Sequence, residues 1–108
     1  VQGLAGQETG YQSWFDALAA MEAQMDAVPY DVAITGAGAY SLPLAAHARD
    51  TGHAAVQMSG ATQLLFGIKG KRWDAHPQIS KLYNDAWTRP AASEQPQNKE
   101  RVEGGSYW

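Results

Sequence analysis

Two clusters of residues in this sequence have the types and spacing to hold an anion. In the first, the β-type run Asp31-Val32-Ala33-Ile34-Thr35 breaks into Gly36-Ala37-Gly38-Ala39-Tyr40-Ser41. Val32, Ala33 and Ile34 suit a buried parallel strand, and the two glycines let the chain turn with little side-chain bulk. Ser41 is the predicted N-cap of a helix over residues 42–50, whose N–H groups and positive dipole end would gather just beyond the strand, where phosphates bind. The spacing is Gly36-x-Gly38-x-x-Ser41, so the third glycine of a dinucleotide fingerprint is absent. A second strand-turn-helix unit ends its strand in Val56-Gln57-Met58-Ser59-Gly60. No acidic residue stands there to bond a ribose, which disfavours NAD.

The second cluster is Gly67-Ile68-Lys69-Gly70-Lys71-Arg72-Trp73, a glycine-flexed loop with Lys69, Lys71 and Arg72 beside an indole. Arg72 could clamp a phosphate bidentately, either lysine could add point charge, and Trp73 could stack on a base or sugar. A solvated basic turn anchored by a buried Trp73 explains the same residues. The loop has neither the spacing nor the terminal hydroxyl of a Walker A motif. His47, His53 and His76 lack the spacing of a metal site and read as structural or surface residues. Ser41 and Ser59 stand in no Gly-x-Ser-x-Gly elbow, so capping explains them better than nucleophilic attack. Asp31 and Asp74 form no pair, although Asp74 follows the basic loop and is the better candidate for an acid, a base or a metal contact.

These clusters need elements to position them. Ser13 is predicted to cap a helix reaching about residue 27, with Trp14, Leu18, Met21 and Met25 on an apolar, core-facing stripe. Strands over 31–35 and 54–58 flank the helix over 42–50, whose Pro43 lies in the first turn, and Gly52 stops that helix. Strand-helix-strand implies a right-handed parallel crossover. A short helix is expected over 61–66 and a longer one over 79–87. The organisation is a flexible leader over residues 1–10, a nucleotide-binding-like α/β domain over 11–90, and a C-terminal tail over 91–108 packed on it through Tyr107 and Trp108. The fold class is α/β, a Rossmann-like three-layer half-domain with a short parallel sheet and flanking helices. Two strands cannot cover themselves, so further strands, a second copy or an N-terminal portion must complete the sheet.

Composition sets the outer limits. The chain has 108 residues, 44% hydrophobic and 18% charged, which suits one domain with a modest core. A net charge of -3 gives no electrostatic ground for nucleic-acid binding. The absence of cysteine excludes disulfides, thiolate zinc sites and cysteine nucleophiles, and is compatible with a cytoplasmic protein. No apolar run approaches the roughly 20 residues of a membrane span. The sequence starts at Val1 rather than methionine, as a processed product or the C-terminal part of a longer protein would.

The stretches Gly36-Ala37-Gly38-Ala39-Tyr40-Ser41-Leu42-Pro43-Leu44-Ala45-Ala46, Ser59-Gly60-Ala61-Thr62-Gln63-Leu64-Leu65-Phe66 with the basic loop after it, and Val102-Glu103-Gly104-Gly105-Ser106-Tyr107-Trp108 resemble the C-terminal region of a group of uncharacterised bacterial proteins. The part over 31–60 is distantly similar to the nucleotide-sugar side of GT-D-type glycosyltransferases. What that second resemblance carries over is Gly36, Gly38 and the Ser59-Gly60 turn. It implies a nucleotide sugar with a divalent metal, but the Asp-x-Glu metal motif of that family does not stand here; Asp16 and Glu22 are too far apart to form it. The expected function is a nucleotide-sugar diphosphate site of Gly36, Gly38, Tyr40, Ser41, Ser59, Gly60, Lys69, Lys71, Arg72 and Trp73, with catalytic residues unknown. The alternative is a non-catalytic binding or assembly module that forms a homodimer through exposed apolar edges.

Overall fold

Ser13 begins the first helix as its sequence dictates. In the computed structural model, which describes residues 10–108, its backbone is extended (φ -143°, ψ 165°). Its Oγ accepts the Asp16 N–H at 3.2 Å and donates to the Asp16 carboxylate at 2.8 Å. The helix, α1, runs Trp14–Asp26. The described residues divide into two compact units, 10–62 and Gln63–Trp108.

In the first unit α1 is followed by strand β1 (Val32–Thr35), helix α2 (Ser41–Asp50) and strand β2 (Ala54–Gln57). The two strands pair in parallel, Val32 against Ala54 through Thr35 against Gln57, with α2 as the crossover. Ala54 N–H donates to the Asp31 carbonyl at 3.1 Å and Met58 N–H to the Thr35 carbonyl at 3.0 Å. Main-chain groups alternate in direction along a strand, so those of Val32 and Ile34 point to the opposite edge of β1.

Among the described residues the buried apolar side chains are few, Ala17, Leu44 and Ala48, with Thr35 and Ser41 as buried polar neighbours. The predicted core stripe of α1 is therefore corrected. Ala17 is the residue of α1 that is buried, while Trp14 is exposed and stacks on Tyr40 with ring centroids 5.0 Å apart. The small side chain of Ala17 is fully packed, while Leu18, Met21 and Met25 of the same stripe are half-buried. The chain is thus a mixed α/β protein with a short two-stranded parallel sheet. Helix α2 packs on both strands, which buries Thr35. On the other face Val32, Ile34 and Val56 remain 52%, 49% and 47% exposed.

The second unit is built mostly of short turns. Helix α3 (Thr62–Leu65) leads into it, and α4 (Lys71–Asp74) makes one turn of the predicted basic loop. The helix expected over 79–87 is only a 3-10 turn, Ile79–Leu82. Tyr83 turns to extended geometry, and the Asn84 side chain and carbonyl accept the N–H groups of Ala86 and Trp87, an alternative to the helical ladder that asparagine favours. Thr88 then pairs with the 67–69 backbone: its N–H donates to the Gly67 carbonyl at 3.0 Å, and its carbonyl accepts the Lys69 N–H at 2.7 Å. No helix among the described residues is long and apolar enough to cross a membrane.

One polar clasp ties α1 to α2. His47 Nε2 lies 2.8 Å from Asp26 Oδ1, with Glu22 4.0 Å from the other ring nitrogen. The hydrogen bond to Asp26, reinforced by the charges of Asp26, Glu22 and Asp50, raises the imidazole above its ordinary value against the opposing effect of burial. A raised histidine stabilises the fold fully below its unfolded value and loses that contribution as pH rises through the folded one. Urea melts should therefore show less stability at about pH 8.5 than at about pH 6, and His47→Gln should flatten that slope.

Candidate functional site

Both strands of the first unit deliver their carboxyl ends to one edge of the sheet, where parallel α/β sheets hold ligands. Two turns meet there. Gly38 has φ +56° and opens a 3-10 turn, Gly38–Tyr40, that runs directly into α2. Because this turn is already helical, Tyr40 occupies the cap position with φ -82° and ψ -18°, and Ser41 is the first helical residue. The expectation that Ser41 caps α2 is thus corrected. Its fully buried hydroxyl instead accepts the Ala37 N–H at 2.6 Å, pinning the corner from inside. Tyr40 is occupied by its stack on Trp14.

Gly36 is required by close approach. A Cβ there would collide with the Thr62 hydroxyl, would lie 2.6 Å from Thr62 Cβ and 3.0 Å from the Ser59 carbonyl oxygen. Ser59 itself takes φ +49°, an uncommon backbone for a non-glycine residue, and opens the second 3-10 turn, Ser59–Ala61, which contains Gly60. Around Gly38 the opposite holds: nothing lies within 4 Å of where its Cβ would be. One glycine is packed shut and the other faces open space.

Two hydroxyls stand out at this edge. Thr35 Oγ1 and Thr62 Oγ1 are buried and have no hydrogen-bond partner among the described residues, and Thr35 is only 6% exposed. A buried hydroxyl without a partner costs about 1–3 kcal/mol, so each is a polar atom in want of one. Sequence reasoning missed both. For Thr35 the available signal was a hydroxyl on the inward-facing position of an otherwise apolar strand; Thr62, on a helix, offered none.

In the second unit, the cations of the other cluster already have partners. Arg72 forms an ion pair with Glu103, and its guanidinium lies 4.5 Å from the Tyr107 ring centroid and 5.6 Å from that of Trp73. Lys71 Nζ donates to the Gly104 carbonyl at 3.2 Å, and Lys69 Nζ sits 5.3 Å from the Tyr83 ring centroid. The backbone is engaged too, with the N–H groups of Lys71 and Arg72 donating to the Trp108 and Ser106 carbonyls at 3.2 and 3.0 Å. Gly70 lets those strands of chain meet: a Cβ there would stand 3.1 Å from the Tyr107 carbonyl oxygen. The Trp73 indole N–H is buried without a partner among the described residues.

Asp74 accepts two hydrogen bonds from Arg89 Nη2, both 2.9 Å, and one from the Tyr83 hydroxyl at 3.3 Å. Burial, aided by the Asp74 charge, raises the Tyr83 hydroxyl above its ordinary value. These partners make Asp74 a fixed ion-pair residue. His76 accepts the Gln78 and Ile79 N–H groups through Nδ1, and His53 stacks on Tyr30 with centroids 4.1 Å apart. Among the described residues no three of His, Asp or Glu are grouped to hold a metal ion.

No protein-family model, curated protein or solved structure matches this chain.

Gly36→Ala should cost about 1–3 kcal/mol in a denaturant melt because the new methyl overpacks the Thr62 contact. Adding Thr62→Gly should recover part of that loss, a coupling that a double-mutant cycle would detect. Arg72→Lys keeps the charge but loses the planar fork and its ring contacts, so it should lower the stability of the second unit by about 1 kcal/mol, measured by local hydrogen exchange.

Proposed function

We propose that residues 10–62 are one wing of a Rossmann-like three-layer domain that receives the diphosphate of a nucleotide sugar in a glycosyltransferase-like protein. The observation that carries this reading is the buried, unpartnered Thr35 hydroxyl at the carboxyl end of β1, shortly ahead in sequence of the open left-handed Gly38 and the N-terminus of α2. A phosphate oxygen would accept from the Thr35 hydroxyl and gain from the positive end of α2. Gly38 would let it approach the backbone, and Ser41 would hold the corner in shape without touching the ligand. The contribution to chemistry is electrostatic, stabilising negative charge on a departing diphosphate. The residues present do not fit a divalent metal, and no step is assigned to one.

A second reading, a non-catalytic assembly module, is favoured by the exposed apolar face of Val32, Ile34 and Val56. It predicts self-association in sedimentation velocity and no response to nucleotides.

The nucleotide reading is tested by a protein-observed NMR titration with UDP and UDP-glucose. Saturable shifts are expected at the Gly36, Gly38 and Ala39 amides. Thr35→Val, which removes the donor and keeps the shape, should weaken binding about tenfold while leaving thermal stability unchanged or raised. Silence at Gly38 with both ligands would overturn it.

A further inference from the structure

The edge of β1 that is unpaired among the described residues borders a cleft of about 500 Å3. Val32, Ala33, Ile34 and Thr35 all line it, although successive side chains leave a strand on opposite faces. A cleft touched by every residue of a strand runs along its hydrogen-bonding edge. That is the edge toward which the Val32 and Ile34 main-chain groups point, since those of Asp31 and Thr35 serve β2. The opposite wall is the α1 face Met21, Gln24 and Met25, at helical spacing, continued past the helix end by Val28, and none of the lining residues is charged.

The connectivity identifies what belongs there. Helix α1 packs on α2, so both lie on one side of the sheet. Right-handed crossovers that keep their helices on one face advance across the sheet in one direction. The crossover through α2 moves from β1 to β2. One through α1 must therefore arrive at β1 from a strand on the far side, which is where the cleft lies. Tyr30, also in the lining, carries a buried hydroxyl without a partner among the described residues.

We infer that this cleft is the seat of a third strand: an uncharged, extended apolar segment that runs parallel to β1, bonds the Val32 and Ile34 main chain, and lies under the Met21–Met25 face of α1. The uncharged lining matches such a segment and would penalise a charged one, because a charge there would be desolvated without a counter-charge. The inference does not depend on the nucleotide reading, which uses the carboxyl end of the strands rather than their edge.

The test uses the 108-residue chain and a capped peptide of alternating valine and threonine with a nitroxide at its N-terminus. At saturation, exchange of the Val32 and Ile34 amides should slow about tenfold or more, with Ala33 and Thr35, already turned toward β2, little changed. The nitroxide should broaden Tyr30 and Asp31, at the start of β1, rather than Gly36 and Ala37. A peptide N-methylated at alternate residues should give no protection. Four results would each overturn the inference: no protection at millimolar peptide, equal protection by the N-methylated control, broadening at Gly36, or protection that appears without peptide and grows with protein concentration, which would assign the edge to a second copy.

Discussion

The approach of Thr62 onto Gly36 is the constraint on which the first unit depends. It brings the turn after β2 against the turn after β1, so the two carboxyl ends of the sheet are locked together by contact rather than left to separate loops. The left-handed Gly38 and the 3-10 turn it starts then deliver α2 at the angle that buries Ser41 and Leu44. With Ala17, Leu44 and Ala48 as the buried apolar side chains, packing alone supplies little. Close backbone contacts and one buried hydrogen bond, Ser41 to Ala37, carry a large share of the specificity.

The second unit solves the same problem without a sheet. Its one-turn helix α4 is held by carbonyls from residues 104, 106 and 108, and Arg72 joins a carboxylate and two aromatic rings at once. A guanidinium can do this because its planar face stacks while its edge donates hydrogen bonds. Charge that reads in sequence as bait for an anion is here the fastening of a loop-rich unit.

Local order was legible in the sequence wherever a single residue decides it. Ser13 opens α1, Gly52 stops α2 at φ +91°, and the strand-helix-strand order fixes a parallel pair. Legibility failed where the conformation of a neighbouring turn or a distant partner decides. Ser41 looks like a cap because serine caps helices, yet Gly38 had already wound the preceding turn. Asn84 is a turn former that could have broken the helix read over 79–87, but nothing there announces that Thr88 will pair with the 67–69 backbone. The glycine corner of the candidate site could be read directly. That the Thr35 and Thr62 hydroxyls go unpartnered could not, because an unpartnered hydroxyl is defined by what surrounds it. Glu103 escaped for the opposite reason, its partner Arg72 being 31 positions away.

The cleft wall has a chemical side as well as a shape. The chain contains no cysteine and three methionines, and two of these, Met21 and Met25, line the cleft. Thioethers are soft and rotate easily, so the wall can adjust to side chains of different outline. Their oxidation to sulfoxides would make the same wall polar and stiffen its demands on any apolar occupant. Peroxide would thus act on this protein as a change in what the cleft accepts.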